Sequence, residues 1–375
     1  MTPPGVTSIV VLLLTLTANG AQITPAPHQG ASDPRGREPG PEVAFRTAVR
    51  GLCEQLHLTE LTADSLQPLV ADPAIRGAHA AALATIVRAT QDGDAQDAIS
   101  CERLAAGQVA NEQKLAGLFH GHMLALQHTN RQVFATGHPD FSKLQQGHSG
   151  DCYFFSVTGW MALNRPEVVL AAIQSGADSK FEVRVPGNQP TVVPTPTDAE
   201  LCFTSGDTTT DGIWMPILLK AWGENLVASP AAKGNPPVVS DPVVAVSHGG
   251  SESAPIRWWT GHDVHWYELP HTSLAEFRQA LVNATTNHLA ATLGTSEKPP
   301  VSLPSGHIQA LLGFDSERNM LRIWNPWGDN FTPHGEPGPQ NGYPRRHGVF
   351  EIPLDDAHRG FSCLVVEVSD GAGAP

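Results

Sequence analysis

A Gly-Asp turn, Gly150-Asp151, leads into Cys152 and the apolar run Tyr153-Phe154-Phe155, with Gln146 six residues ahead of the cysteine. A thiol is a useful nucleophile only as thiolate, and its ordinary pKa of about 8.5 falls at a helix N-terminus and beside an imidazolium. The segment suits a cysteine at the start of a buried helix, with an amide side chain near any carbonyl it attacks. Such a cysteine needs a histidine and a group that orients it. Both stand far downstream on strand-like segments, in Gly306-His307-Ile308 and in Ile323-Trp324-Asn325-Pro326-Trp327-Gly328. The constraint on the fold is severe: one helix start has to meet two distant strands.

In that arrangement His307 is the expected general base, and then the general acid for a leaving amine. Asn325 is expected to accept the other ring N–H of His307 and hold the imidazole's orientation, as in a Cys-His-Asn triad. The side-chain amide of Gln146 and the backbone N–H of Cys152 are the expected donors to a developing oxyanion. Gly150 and Asp151 support the turn, and Trp327 is expected to cover the His–Asn hydrogen bond. Each motif alone is more often structural: a cysteine at a helix start usually packs, and an Asn-Pro-Trp-Gly is usually a turn. Their order and contexts together carry the reading.

The remaining sequence sets the frame. The 375 residues suffice for two domains, and 41% hydrophobic with 16% charged residues is a globular composition. A net charge of -14 argues against nucleic acid or an anionic membrane surface as the main partner. The short apolar core Ile9–Leu16, followed by Ala18-Asn19-Gly20-Ala21, reads as an export signal over residues 1–21. It is far shorter than the roughly 20 apolar residues of a membrane span, so a secreted or periplasmic chain without an integral span is expected. Of the five cysteines, Cys152 is the natural odd one; Cys53 could pair with Cys101, and Cys202 with Cys363, or all four could be buried thiols.

Residues 22–41 are a Pro/Gly/Ala-rich linker. From 42 to 133 apolar residues recur at helical spacing, as in Phe45-Val49-Leu52-Leu56, with further helices expected over Pro73–Thr90 and Gln108–Gln127 and a cap at Thr62-Ala63-Asp64. Asp92-Gly93-Asp94 opens a segment faintly like a calcium loop, but Arg103 stands where such a loop needs its closing Glu, so a polar turn is expected. From 134 to 369 the character is mixed. Helices are expected from Cys152 to before Pro166, over Trp214–Leu226 and over Leu274–Val282. Strands are expected over Lys180–Val185, Thr191–Val193, Glu200–Thr204, Ile308–Phe314, Met320–Trp324, Gly348–Ile352 and Phe361–Val368, and residues 370–375 read as a tail. A helix-rich part followed by a sheet-rich part is an α+β plan.

Residues from about 141 to 367 resemble the protease core of the calpain family of cysteine endopeptidases. The shared residues are Gln146, Gly147, Gly150, Asp151 and Cys152, then Gly306-His307, then Asn325-Pro326-Trp327-Gly328. Ile213–Trp222 resembles the family's Trp/Leu/Lys/Ala helix, Thr260-Gly261 its Thr-Gly turn, and His347–Ile352 with Phe361 its closing hairpin. The resemblance implies a papain-like, calpain-type core with a helical and an antiparallel-sheet subdomain, here preceded by an α-helical N-terminal domain that is a possible pro-region. It implies a protein or peptide substrate, a Cys152-His307-Asn325 triad and a thioester intermediate. Tyr153 stands where the family usually has Trp. Lys143, His347 and Val349 stand where animal calpains place acidic calcium ligands, so a calcium-independent core with no metal and no cofactor is expected.

Two other classes compete. A Cys-His-Asn core can transfer acyl groups to amines, as transglutaminase-like folds do, or serve as a binding domain. A metal enzyme is suggested only by the 17 histidines; His120 with His122 and His262 with His265 lack any zinc-type arrangement. The residues that set subsite specificity are not legible, Trp258-Trp259 reads equally as cleft lining or core, and oligomeric state is left open.

Overall fold

The computed structural model describes residues 40–91, 98–109, 111–147, 149–204, 210–228 and 241–368. The expected export signal, nearly all of the linker, His148, Asp92–Asp97 and the C-terminal tail lie outside the described residues. The protein is an α+β structure with antiparallel sheets. No described helix is long and apolar enough to cross a membrane.

The N-terminal part is helical because its apolar residues fall on single faces. In the helix Pro41–Leu56, Phe45, Val49 and Leu52 are fully buried, Pro41 occupies the first turn, and His57 ends the helix in the left-handed region. The helices Gly77–Gln91 and Glu112–His128 pack against it. Thr62 acts as a cap: its Oγ1 accepts from the Ser65 N–H at 3.2 Å. A short ladder, β1 (Glu60–Thr62) with β2 (Ala98–Ser100), and the Cys53–Cys101 disulfide close the unit.

The apolar core of this unit does not stop at the expected boundary near residue 133. Ala199, Cys202, Phe203, Val243 and Val244 from further along the chain belong to the same cluster as Phe45, Leu52, Leu83 and Val87. Polar contacts reinforce it: Arg88 Nη2 donates to Phe203 O at 3.1 Å, Gly77 N to Asp198 Oδ2 at 2.8 Å, and Thr197 Oγ1 to Val70 O at 2.6 Å.

One sequence expectation fails here, and one open alternative is decided. The segment expected as a strand over Glu200–Thr204 lies mostly in a helix, Asp198–Phe203. The cause is a capping box, in which Thr197 Oγ1 accepts from Glu200 N and Glu200 Oε2 accepts from Thr197 N. A three-residue apolar run is too short for its period to decide between helix and strand. Consequently Cys202 turns into the helical core, and Cys202 and Cys363 do not form a second bridge.

The helix Cys152–Asn164 is apolar all round, with Tyr153, Phe154, Phe155, Val157, Trp160 and Met161 buried, so it sits inside the molecule rather than on it. Arg165-Pro166 ends it and Pro166 starts the next helix, Pro166–Ala172. Phe154 packs on Trp222 and Trp258, ring centroids 5.7 Å away in each case. Trp258 and Trp259 are therefore core residues, 4% and 0% exposed, and not part of a cleft wall. A small sheet, β3 (Ile173–Ser175), β4 (Lys180–Val183) and β5 (Thr191–Pro194), lies beside the helix Trp214–Ala228.

The large sheet has six antiparallel strands: β6 (Val264–Glu268), β7 (Ala291–Gly294), β8 (Ile308–Asp315), β9 (Met320–Trp324), β10 (Val349–Pro353) and β11 (Cys363–Glu367). Their order is β10-β9-β8-β7-β11-β6. One face, with Ala310, Trp324 and Val365, packs on the Cys152 helix; the other, with Leu293, Leu311, Ile323 and Leu364, packs under the helices Leu274–Thr286 and Leu354–Gly360. Ser156 Oγ donates to Ile308 O at 2.8 Å and so ties the central helix to the start of β8.

Candidate active site

Cys152 is the first residue of the central helix and is partly exposed. The turn before it depends on Gly150, whose N–H donates to Ser247 O at 3.0 Å and whose Cα approaches that carbonyl so closely that a Cβ would lie 2.5 Å from it. The Asp151 carbonyl accepts from Phe154 N and Phe155 N, both at 3.0 Å, which starts the helix. The Asp151 side chain makes no capping bond; it is 3% exposed, and burial pushes its carboxyl up.

His307 lies between a left-handed turn and the start of β8. Gly306 has φ +54°, and His307 N donates to Thr295 Oγ1 at 3.0 Å while its carbonyl accepts from Thr295 N at 2.9 Å. Its ring Nε2 lies 2.7 Å from Asn325 Oδ1, and both residues are buried. Asn325 leaves the end of β9, where its N–H donates to Gly348 O at 2.9 Å. Trp327, 39% exposed, packs its ring against that of His307 with centroids 4.3 Å apart; the sequence expectation placed it over the His–Asn hydrogen bond.

The loop bearing Gln146 is pinned to this turn: Gln146 N donates to Pro326 O at 2.7 Å. Gln146 is 5% exposed. Its side-chain amide donates to Ser149 O at 2.5 Å and also acts on the Asp151 carboxyl, so it is held inside the loop that precedes Cys152.

Burial disfavours the charged form of both the thiol and the imidazole. Burial pushes Cys152 up to about 11, helped by the charges of Asp151 and Glu252 and opposed by backbone hydrogen bonds involving Ile308 and Tyr153. Burial draws His307 down to about 4, against the hydrogen bond to Asn325. This differs from the pre-formed thiolate that the helix N-terminus suggested, because desolvation opposes each charge formed alone. The thiol's backbone partner Ile308 is the residue after His307, which puts Cys152 beside the start of β8.

Some contributors were not visible in the sequence. Asp329 and Arg345 sit behind Asn325; Asn325 Nδ2 donates to Asp329 Oδ1 at 3.4 Å and Arg345 Nη2 to Asp329 Oδ2 at 2.6 Å. Glu252 also acts on the thiol, and its Oε1 accepts from Cys363 Sγ at 3.3 Å. Of the histidine pairs, His122 is buried beside Thr85 and His262 pairs with Glu367 at 2.7 Å. Among the described residues no three His, Cys, Asp or Glu side chains converge as a metal site.

A scan against protein-family models finds no match for the chain, and a comparison with curated proteins finds none either.

Proposed function

We propose that the chain is an exported, calcium-independent cysteine endopeptidase with a papain-like, calpain-type core. The observation that carries the reading is the His307 Nε2–Asn325 Oδ1 contact of 2.7 Å beside the Trp327 ring, on strands packed against the helix that Cys152 opens. His307 Nδ1 takes the Cys152 thiol proton as sulfur attacks the peptide carbonyl. The oxyanion meets the Cys152 N–H and the side-chain amide of Gln146. The intermediate collapses to a thioester as His307 returns the proton to the leaving amine. Water, deprotonated by His307, then attacks the thioester and releases the acid and the thiol. Lys143, His347 and Val349 supply no carboxylate where calcium ligands would be needed.

The test is hydrolysis of casein by wild type and Cys152→Ala under reducing conditions, each with EDTA and with calcium. Cleavage by the wild type alone, unchanged by EDTA, supports the reading. Loss with EDTA overturns calcium independence, and amine incorporation without cleavage would replace hydrolysis by acyl transfer.

A further inference from the structure

The oxygen and nitrogen of an asparagine amide differ only in what they bond, so the neighbours of Asn325 decide which atom faces His307. The Trp327 backbone N–H, which can only donate, lies 3.1 Å from Oδ1. The Asp329 carboxylate, which when ionised can only accept, lies 3.4 Å from Nδ2. Both contacts turn the oxygen toward the imidazole. An oxygen there requires a proton on His307 Nε2, and a neutral ring then carries its lone pair on Nδ1, the nitrogen left to take a thiol proton.

We propose that Asp329 and Arg345 are positioning residues that set the tautomer of His307 through Asn325. The inference rests on the triad reading above. Arg345 holds the carboxylate: Nη2 donates to Asp329 Oδ2 at 2.6 Å, and its guanidinium lies 5.5 Å from the Phe331 ring centre and 6.0 Å from that of Phe350. Its side chain is only 13% exposed, so it has little freedom to leave. Backbone bonds fix the distance, with Gly348 N donating to Asp329 O at 3.0 Å and Phe331 pairing with Arg345 at 2.9 Å. The pair also brackets the imidazole electrically: Arg345 opposes a charge on His307 and Asp329 favours one. The other ionisable groups around the site are Cys152 with its neighbours Asp151 and Glu252, and Glu297 against Gly306.

Asp329→Asn keeps the shape and loses the obligate acceptor; Arg345→Gln releases the carboxylate. Imidazole nitrogen chemical shifts, with the His307 signals assigned from His307→Gln, report the tautomer without any substrate. The wild type is expected to hold the Nε2–H form, and both variants to populate the Nδ1–H form. Alkylation of Cys152 by iodoacetamide is expected to slow by about tenfold. A melt by circular dichroism checks folding, and Arg345→Gln carries the test should Asp329→Asn not fold. An unchanged Nε2–H form in the folded variants overturns the proposal whatever the alkylation rate. Failure of the wild type to cleave any protein would strike the protease reading alone, since the tautomer is read independently of it.

Discussion

Gly159 lies flat against the indole of Trp324, so close that any Cβ at 159 would overlap the six-membered ring. This contact lets the central helix approach β9 at the residue before Asn325. The distance between the helix that carries Cys152 and the strand that carries Asn325 is thus set by a missing side chain.

Gly159→Ala sets two effects against each other. Alanine favours a helix by about 1 kcal/mol over glycine. The overlap with Trp324, which is 0% exposed and cannot swing away, is overpacking of the kind that costs about 1–3 kcal/mol and shifts backbone. A net loss of stability in urea denaturation is expected, with a larger fall in proteolytic rate than in folded fraction. A variant as stable and active as wild type would show that the contact is slack.

Trp327→Ala opens the His307 ring to water. Desolvation is the main reason this imidazole stays neutral down to about 4, so uncovering it should move the value up toward the ordinary 6.5. Titration of the His307 ring signals measures this, and an unchanged midpoint would mean that Trp327 shields nothing.

The same burial makes stability depend on pH. His307 titrates near 4 in the folded protein against an ordinary 6.5. Between those values the unfolded chain binds the proton and the folded one does not, so stability is full above 6.5 and falls as pH drops toward 4. The loss from this residue is on the order of 3 kcal/mol at most. Denaturation of wild type and His307→Gln at several pH values should show a shallower decline in the variant over that window. Parallel curves would contradict it.

Removing everything before Gln132 should not yield a stable enzyme. Phe203, Val243 and Val244 share their apolar cluster with the N-terminal helices, and Arg88 from that region bonds the Phe203 carbonyl. The truncated chain is expected to aggregate or to lose its cooperative melt. A soluble, active product starting near Gln132 would instead make the helical region a removable pro-segment.

The sequence made much of the site legible because its chemistry is local. Gly150-Asp151-Cys152 and Asn325-Pro326-Trp327-Gly328 each concentrate several backbone requirements in a few residues. The helix Pro41–Leu56 was legible from its hydrophobic period, and β8 and β9 from apolar runs five to eight residues long. Strand β7 was missed because all four of its residues are buried, so it shows no alternation. The helix Asp198–Phe203 was misread because its apolar run masked the capping box before it. Asp329 and Arg345 were out of reach, since their partnership joins a loop to a hairpin and leaves no spacing to recognise. The opposite shifts of Cys152 and His307 come from burial, which no local motif reports.

The most direct test of the central claim is covalent trapping by a peptidyl electrophile, followed by mass spectrometry of the digested protein. A single adduct is expected on Cys152, with little on Cys202 or Cys363 in the folded chain, and its rate should drop sharply in His307→Ala and Asn325→Ala. An adduct spread over the three thiols, or trapping at Cys152 as fast without His307 as with it, would contradict a nucleophile activated by this histidine.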